Sequence, residues 1–155
     1  SYFAEMVQYL SREGIEAAEE LLLMYITMRA LQNRRISFEL IRVIFEMRLM
    51  LTEGEGLELF RCLRCGKDEV HSVYLSEGGL ICRECAAKDK KLSKEYPIVL
   101  SADAKYTLQY ILTSTPEKLY AFTVTDSVLD ELKRFMKSYL ARYLPHKFKT
   151  LDFIV

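Results

Sequence analysis

The sequence is poor in the features that mark membrane, fibrous and low-complexity proteins. Its 155 residues include no tryptophan, two histidines, three prolines and six glycines. The longest apolar run, Leu21 to Ile26, has six residues, whereas a membrane span needs roughly 18. No secretory signal is recognised, no internal repeat is found, and so few prolines and glycines exclude a collagen-like or linker-like chain. We therefore expect a single globular, non-membrane domain over residues 1–155.

Signatures of catalysis are also missing. The chain has neither a P-loop nor an H-E-x-x-H motif, and its two histidines, His71 and His146, stand far apart. His71 lies in a segment with strand character, and His146 follows a proline. We expect no catalytic residues, no small-molecule substrate and no enzymatic activity.

Hydrophobic periodicity predicts helices on both sides of a central cysteine-rich segment. Helices are predicted over 2–12, over 15–33 and from Ser37 to about Leu51. The second of these is apolar around most of its circumference, which is typical of a central helix. Ser37 is expected to cap the third helix.

Three further helices are predicted after the cysteines. The first is capped by Ser101, runs to about Thr113, and should point Tyr106 inward; a short one starts at Pro116. A long helix over 126–144 carries an apolar stripe, and the apolar tail that follows is expected to dock on the core. The predicted fold class is mainly α, with about six helices, an inserted zinc-ribbon-like β-hairpin and almost no other strand.

The four cysteines form one compact pattern. They read C-x2-C, then sixteen residues, then C-x2-C, at Cys62, Cys65, Cys82 and Cys85. This spacing is typical of a structural zinc site, because two tight turns can direct four thiolates at one tetrahedral ion. A strand, a Ser-Glu-Gly-Gly turn and a returning strand predict a hairpin between the pairs, so residues 60–88 should form an inserted subdomain that binds one structural Zn²⁺.

Other uses of the four cysteines fit the sequence less well. Two disulfides would require an oxidising compartment, of which the chain shows no mark. Catalytic zinc needs an open coordination position, which a four-cysteine cage lacks. The C-x-E of Cys82 to Glu84 resembles part of a deaminase motif but lies in the second cysteine pair without a preceding proline. A redox C-x-x-C would be expected in a βαβ context.

Charge is balanced overall but uneven along the chain. Lysine plus arginine and aspartate plus glutamate each number 22, yet the segment from residue 133 to 149 has six basic residues and no acidic one. Such a run favours phosphate contacts, although a solvated helix face is the alternative. The candidate DNA-binding residues are Lys133, Arg134, Lys137, Arg142, Lys147 and Lys149.

Three sequence blocks resemble the C-terminal region of the bacterial recombination-mediator family RecO. The first is FEMRLML at 45–51, which precedes a glycine and the first cysteine pair. The second comprises the two cysteine turns, CLRCGK at 62–67 and GGLICREC at 78–85. The third is the closing pair SYLARYL at 138–144 and FKTLDF at 148–153. Together the blocks extend from residue 45 to residue 153.

This resemblance implies a role in DNA repair and homologous recombination. Family members bind single- and double-stranded DNA, anneal strands coated by single-stranded-DNA-binding protein (SSB), and with RecR help to load RecA. They also carry an N-terminal OB-fold. Because no series of five strands precedes the helices and the first residue is Ser1, we expect the OB-fold to be absent from this chain. A bacterial cytoplasmic, nucleoid-associated location is implied.

The resemblance also suggests a partner site on the helical domain. The family's helical domain is associated with the SSB tail, an acidic peptide that ends in phenylalanine, and arginine pairs well with carboxylates. The candidate residues are Arg35, Arg42 and Arg48, with salt bridges to Glu39 and Glu46 on the same helix as the alternative. A zinc-ribbon adaptor that binds only protein is the alternative function, and an unrecognised enzyme is the third.

Overall fold

A computed structural model describes residues 1–10 and 17–143, and within these ranges the fold is mainly helical, as predicted. Three short strands form an antiparallel sheet in the order β2-β1-β3. The helices are α1 (Tyr2–Leu10), α2 (Ala17–Leu31), α3 (Phe38–Thr52), α4 (Arg83–Ala87), α5 (Ala102–Thr113) and α6 (Asp126–Tyr143). The strands are β1 (Ser72–Tyr74), β2 (Gly79–Leu80) and β3 (Ile98–Val99). No helix in the part of the chain that the structure describes is long and apolar enough to cross a membrane.

Helix α3 is the centre of the helical body. Its N-terminus is capped as the sequence predicted, because the Ser37 hydroxyl accepts a hydrogen bond from the Leu40 backbone N–H at 3.2 Å. Nine of its fifteen residues are buried, and it packs against α2, α5 and α6. A helix surrounded on three sides must be apolar on most of its circumference, which explains its composition.

The prediction that α2 is central was wrong. Only a narrow seam faces α1 and α3, formed by Glu20, Leu23, Thr27 and Ala30. Met24 and Ile26 are partly buried, but four large apolar side chains are exposed, with 66% exposure at Leu21, 47% at Leu22, 58% at Tyr25 and 53% at Met28. We call these four residues the α2 apolar stripe. Apolar residues around most of a helix do not show whether the helix is buried or exposes one apolar side, so the sequence alone could not predict this exposure.

Several other predictions were changed by tertiary packing. The short helix expected at Pro116 is a turn, and α4, directly after the second cysteine pair, was not predicted. Strand β3 was also missed; it pairs with β1 in the register Val73 to Ile98. Tyr106 points outward, with 69% of its surface exposed.

The apolar stripe of α6 was predicted correctly. Its buried members are Leu132, Phe135, Met136, Tyr139 and Leu140. The Thr125 hydroxyl caps the helix, because it accepts a hydrogen bond from the Val128 backbone N–H at 3.4 Å. The expected docking of the apolar C-terminal tail concerns residues outside the described ranges.

Candidate functional site

The four cysteines meet at one point between the hairpin and the start of α4. All four sulfurs lie within 4.8 Å of one another, and none is in a disulfide. The sulfurs of Cys65 and Cys82 are 3.7 Å apart. Tetrahedral zinc with Zn–S bonds of about 2.3 Å requires sulfur separations of about 3.8 Å. The donor set therefore fits one tetrahedral metal ion.

Each cysteine pair is held by a local turn. In the first, the Gly66 N–H donates to the Cys62 carbonyl at 3.0 Å and the Cys62 N–H donates to the Lys67 carbonyl at 2.8 Å. Gly66 has a φ of +78°, a conformation that a side chain disfavours. In the second, Cys82 is the N-cap of α4, and its sulfur accepts from the Cys85 N–H at 3.5 Å. These turns are what C-x2-C spacing predicts.

Backbone amides stabilise the thiolate form of a cysteine in the cluster. Burial raises the pKa of the Cys62 thiol, but backbone N–H groups of Cys65, Cys82 and Arg64 outweigh this effect and bring the pKa to about 6. A hydrogen bond with the Cys82 sulfur, with burial as the second cause, raises the pKa of Cys85 to about 12. Because one thiol ionises readily and another retains its proton, metal binding should release protons.

The two cysteine turns are joined by backbone pairing. The Leu80 N–H donates to the Glu58 carbonyl at 2.9 Å, and the Leu63 N–H donates to the Leu80 carbonyl at 2.8 Å. Gly79 lies so close to this segment that an added Cβ would be 2.5 Å from the Glu58 carbonyl oxygen. A side chain at this position would therefore push the two halves of the metal site apart.

The cysteine-containing segment between α3 and α5 is joined to the helical body by polar side chains that sequence reasoning missed. Lys105 Nζ donates to the Asp68 carbonyl at 2.8 Å, and Gln109 Nε2 donates to the Leu59 carbonyl at 2.9 Å. The Tyr143 hydroxyl donates to the Leu75 carbonyl, also at 2.8 Å. Lys105 is 8% exposed, and burial lowers the pKa of its ammonium. Nothing in the local sequence marks these donors, because their acceptors lie far away along the chain.

An ion-pair network joins the first cysteine turn to the hairpin and to the residues that follow α4. Arg64, in the first cysteine turn, lies 2.6 Å from Glu77 of the hairpin and 3.2 Å from Asp89, which follows α4. Hydrogen bonds to Glu77 and Asp89 raise the pKa of the Arg64 guanidinium. Because Arg64 is exposed and both carboxylates are partly exposed, the network orients the segments more than it stabilises them.

Four of the six predicted DNA-binding residues lie on the outer face of α6. Lys133, Arg134, Lys137 and Arg142 are all exposed, and none of them forms an ion pair with another residue of the described ranges. We call these four residues the α6 basic face. Lys147 and Lys149 lie outside the described residues. The aromatics Phe135 and Tyr139, between the basic positions, are buried in the core.

The three candidate partner arginines occupy different environments. Arg42 is nearly buried; its Nε donates to Glu46 at 3.0 Å, and its guanidinium lies 5.0 Å from the centre of the Tyr2 ring. Glu46 also accepts from the Tyr2 hydroxyl, and burial raises the pKa of this carboxyl. The structure thus contains the Arg42–Glu46 pair that was the alternative interpretation.

Arg48 and Arg35 differ from Arg42 and from each other. Arg48 Nη1 donates to the Ser114 carbonyl at 2.7 Å and to the Ile111 carbonyl at 3.3 Å, where it satisfies the C-terminal end of α5. Arg35 is exposed in the connection between α2 and α3. The three arginines therefore do not form one pocket, and Arg35 is the one with an exposed side chain.

Comparison with known proteins gives one consistent result. Residues 1–152 match the family model described as Recombination protein O C terminal. DNA repair protein RecO of Acetivibrio thermocellus is 34% identical over 122 residues, covering 77% of this chain and 46% of that protein. RecO of Clostridium kluyveri is 25% identical over 159 residues, covering 99% and 58%, and that of Alkaliphilus metalliredigens is 26% identical over 146, covering 93% and 57%. The chain thus spans about half the length of these relatives, and no solved structure matches it significantly.

Proposed function

Because the chain belongs to the Recombination protein O C-terminal family, we propose that it is the DNA- and partner-binding helical region of a repair and recombination protein. Its role is binding rather than covalent catalysis. The observation that carries the proposal is the α6 basic face, where four cations are exposed and unpaired within the described ranges. Cations with no acidic partner are free to neutralise phosphates and to release their counterions.

The spacing of the α6 basic face suits a nucleic acid backbone. Lys133 and Arg142 are nine residues apart, which corresponds to about 13 Å along a helix. One strand of duplex DNA presents a phosphate about every 3.4 Å of axis, so roughly four phosphates fall within that length. Arg142 also lies in the last turn of α6, where the helix dipole favours positive charge.

A salt titration tests the proposal. We would replace all four residues of the α6 basic face with glutamine, which preserves helix propensity, and measure binding to a labelled single strand by fluorescence anisotropy. Loss of four phosphate contacts should make the slope of log K against log salt shallower by about 3. Lys90→Gln with Lys118→Gln is the control, because both lysines are exposed and lie outside α6. An unchanged slope in the α6 variant would rule out this face.

We propose that the four-cysteine cluster holds one structural Zn²⁺. Support comes from the all-sulfur donor set, which zinc accepts in closed tetrahedral sites, and from sulfur separations near the required value. The ion would join the two cysteine turns, and it would leave no open position for a reacting water. Metal analysis of freshly prepared, reduced protein should find one zinc per chain; metal-free protein whose cysteine turns and hairpin remain ordered would contradict the assignment.

A second surface supports protein binding. We propose that the SSB tail docks on the α2 apolar stripe, with its terminal phenylalanine on the apolar side chains and its acidic residues near Arg29 and Arg35. Arg29 follows the stripe on α2, and its Nη1 donates to the Tyr25 hydroxyl at 3.1 Å. An exposed apolar strip beside cations complements an acidic peptide with an apolar end. The same strip would serve the alternative, an adaptor that binds only protein.

A peptide-binding experiment distinguishes binding of the SSB tail from the adaptor function. A labelled SSB tail should bind with saturation, lose affinity without its terminal phenylalanine, and bind about tenfold more weakly to Met28→Gln. Tyr106→Gln is the control, because Tyr106 is a similarly exposed side chain on α5. Equal affinities for both variants would place the tail elsewhere, and DNA-independent capture of other proteins without tail binding would favour the adaptor.

The remaining functions of the family are proposals on the same ground. They comprise binding to RecR and to double-stranded DNA, strand annealing, RecA loading and a cytoplasmic, nucleoid-associated location. We further propose that residues 60–88 act as an inserted metal subdomain and that the family's OB-fold lies outside these 155 residues. Annealing assays with RecR and SSB, using the longer protein, would test these functions together.

A further inference from the structure

A groove lies between the three-stranded sheet and the C-terminal half of α6. Its volume is about 500 Å³, within the usual range for small-ligand sites. Apolar side chains from both sides line it, among them Val73, Ile98 and Ala141. Glu95 and Arg142 add one charge of each sign. The groove is thus a mixed surface, apolar in part and bordered by charge.

Tyr96 is the most exposed large side chain in the groove. It has 98% of its surface exposed, and it precedes Pro97 and β3. A proline restricts both its own backbone and that of the residue before it, so the ring is carried on a stiff segment. A tyrosine side chain has only two main torsions, so fixing it against a ligand loses little entropy.

The groove is continuous with the α6 basic face. Arg142 belongs to both, and Ser138 and Ala141, which also line the groove, lie on the same exposed side of α6 as Arg134 and Lys137. A chain of phosphates following the basic face would therefore pass along the edge of the groove. This continuity and the positive charge of the α6 basic face indicate a nucleic acid occupant.

We propose that the groove holds an unpaired nucleotide of single-stranded DNA, with its base stacked on Tyr96 and its phosphate beside Arg142. The inference rests on the proposed DNA-binding function and adds a preference for single strands. Every base has a π-face, so stacking on an aromatic ring tolerates any sequence. A base inside a duplex is already stacked and cannot enter the groove without leaving its pair.

Glu95 gives the nucleotide an orientation. Its carboxylate accepts a hydrogen bond from the Ser76 hydroxyl at 2.8 Å, which fixes it at the groove. A carboxylate repels phosphate but accepts hydrogen bonds from base amino groups. The base should consequently enter on the Glu95 side, while the phosphate stays on the Arg142 side.

The test compares three variants on matched single and double strands. Tyr96→Ala removes the ring, Tyr96→Phe retains it, and Tyr106→Ala removes an exposed tyrosine from α5 as a control. Tyr96→Ala should weaken single-strand binding by about 5- to 150-fold, with an unchanged salt slope and unchanged duplex affinity. Tyr96→Phe and Tyr106→Ala should behave as wild type. A single strand of abasic sites should bind wild type and Tyr96→Ala equally.

The outcomes distinguish this inference from the function on which it rests. If wild type binds single strands and Tyr96→Ala binds them equally well, the stacking site is refuted and the basic face stands. An equal loss on single and double strands, or a failure of Tyr96→Phe to restore affinity, also refutes stacking. If wild type binds neither form and the salt titration shows no phosphate contacts, the proposed function itself fails.

Discussion

Replacement of Gly79 by alanine should weaken metal binding by separating the two cysteine turns. The new Cβ would lie 2.5 Å from the Glu58 carbonyl oxygen and 3.0 Å from the Glu58 nitrogen. Both contacts are with backbone, which cannot rotate away as a flexible side chain can. Strand β2 would have to move away by several tenths of an ångström, and Cys82 follows that strand closely.

The size of the effect follows from the hydrogen bonds that this movement strains. The Glu58 N–H donates to the Gly78 carbonyl at 2.9 Å, and the Leu80 N–H donates to the Glu58 carbonyl at 2.9 Å. Two such bonds contribute about 1 kcal/mol each, so the metal-bound fold should lose about 2 kcal/mol. Binding of the proposed zinc would be coupled to folding of the cysteine turns, so zinc affinity should fall by about 30-fold.

Competition with a chromophoric chelator measures this change, and the neighbouring glycine provides the control. Gly78 has a φ of +84°, and a Cβ added there would contact nothing within 4 Å. Gly78→Ala should therefore destabilise the fold by only about 1 kcal/mol, because alanine disfavours a positive φ. Zinc affinity should then fall by about fivefold. If Gly79→Ala retained zinc as tightly as Gly78→Ala, the close backbone approach would not be what holds the site together.

Three further predictions follow from polar groups in the core and from the metal. Arg48→Lys should lower the free energy of unfolding in urea by about 1.5–3 kcal/mol, because an ammonium cannot replace the guanidinium at the end of α5; unchanged stability would contradict this capping role. Burial is the main cause that raises the pKa of Glu53 from 4.5 to about 7, and a hydrogen bond with Glu20 and the charge of Glu20 add to it. Protonation of Glu53 therefore adds to the free energy of unfolding; this contribution is fully present below pH 4.5 and is lost as the pH rises through 7. Glu53→Gln should raise stability at pH 8 by about 1–2 kcal/mol after allowance for solvent screening and flatten the profile of melting temperature against pH; an equally steep profile would refute the assignment. A chelator should release one zinc per chain and increase amide exchange at β1 and β2 while α3 stays protected, and uniform loss of protection would show that the metal holds the whole chain.

The sequence was most informative where a local rule determines the structure. The cysteine spacing predicted the cluster, the hydroxyls of Ser37 and Ser101 predicted two helix caps that the structure contains, and the α6 stripe predicted its buried face. In each case the interacting groups are close in sequence or share a helical period. These are interactions that chain geometry alone imposes.

The features that sequence reasoning missed depend on distant partners. The apolar composition of α2 suggested burial, but the position of the helix at the edge of the body left its stripe exposed. Lys105 looks like an ordinary helix surface residue until Asp68, far away in the chain, supplies a carbonyl for its ammonium. Strand β3 has only two residues, and it exists because β1 offers an edge. Such outcomes depend on tertiary packing, which outweighs local propensity.

The hydrogen bond from Tyr143 to the Leu75 carbonyl would make the proposed zinc and the proposed nucleic acid thermodynamically linked ligands. It joins the end of α6 to the hairpin that the proposed zinc would keep ordered, and the proposed nucleotide groove lies across that junction. If one ligand stabilises the ordered junction and so raises the affinity for the second ligand, the second must raise the affinity for the first by the same factor. Zinc should therefore tighten single-strand binding, a bound strand should slow zinc loss, and Tyr143→Phe should reduce both effects together.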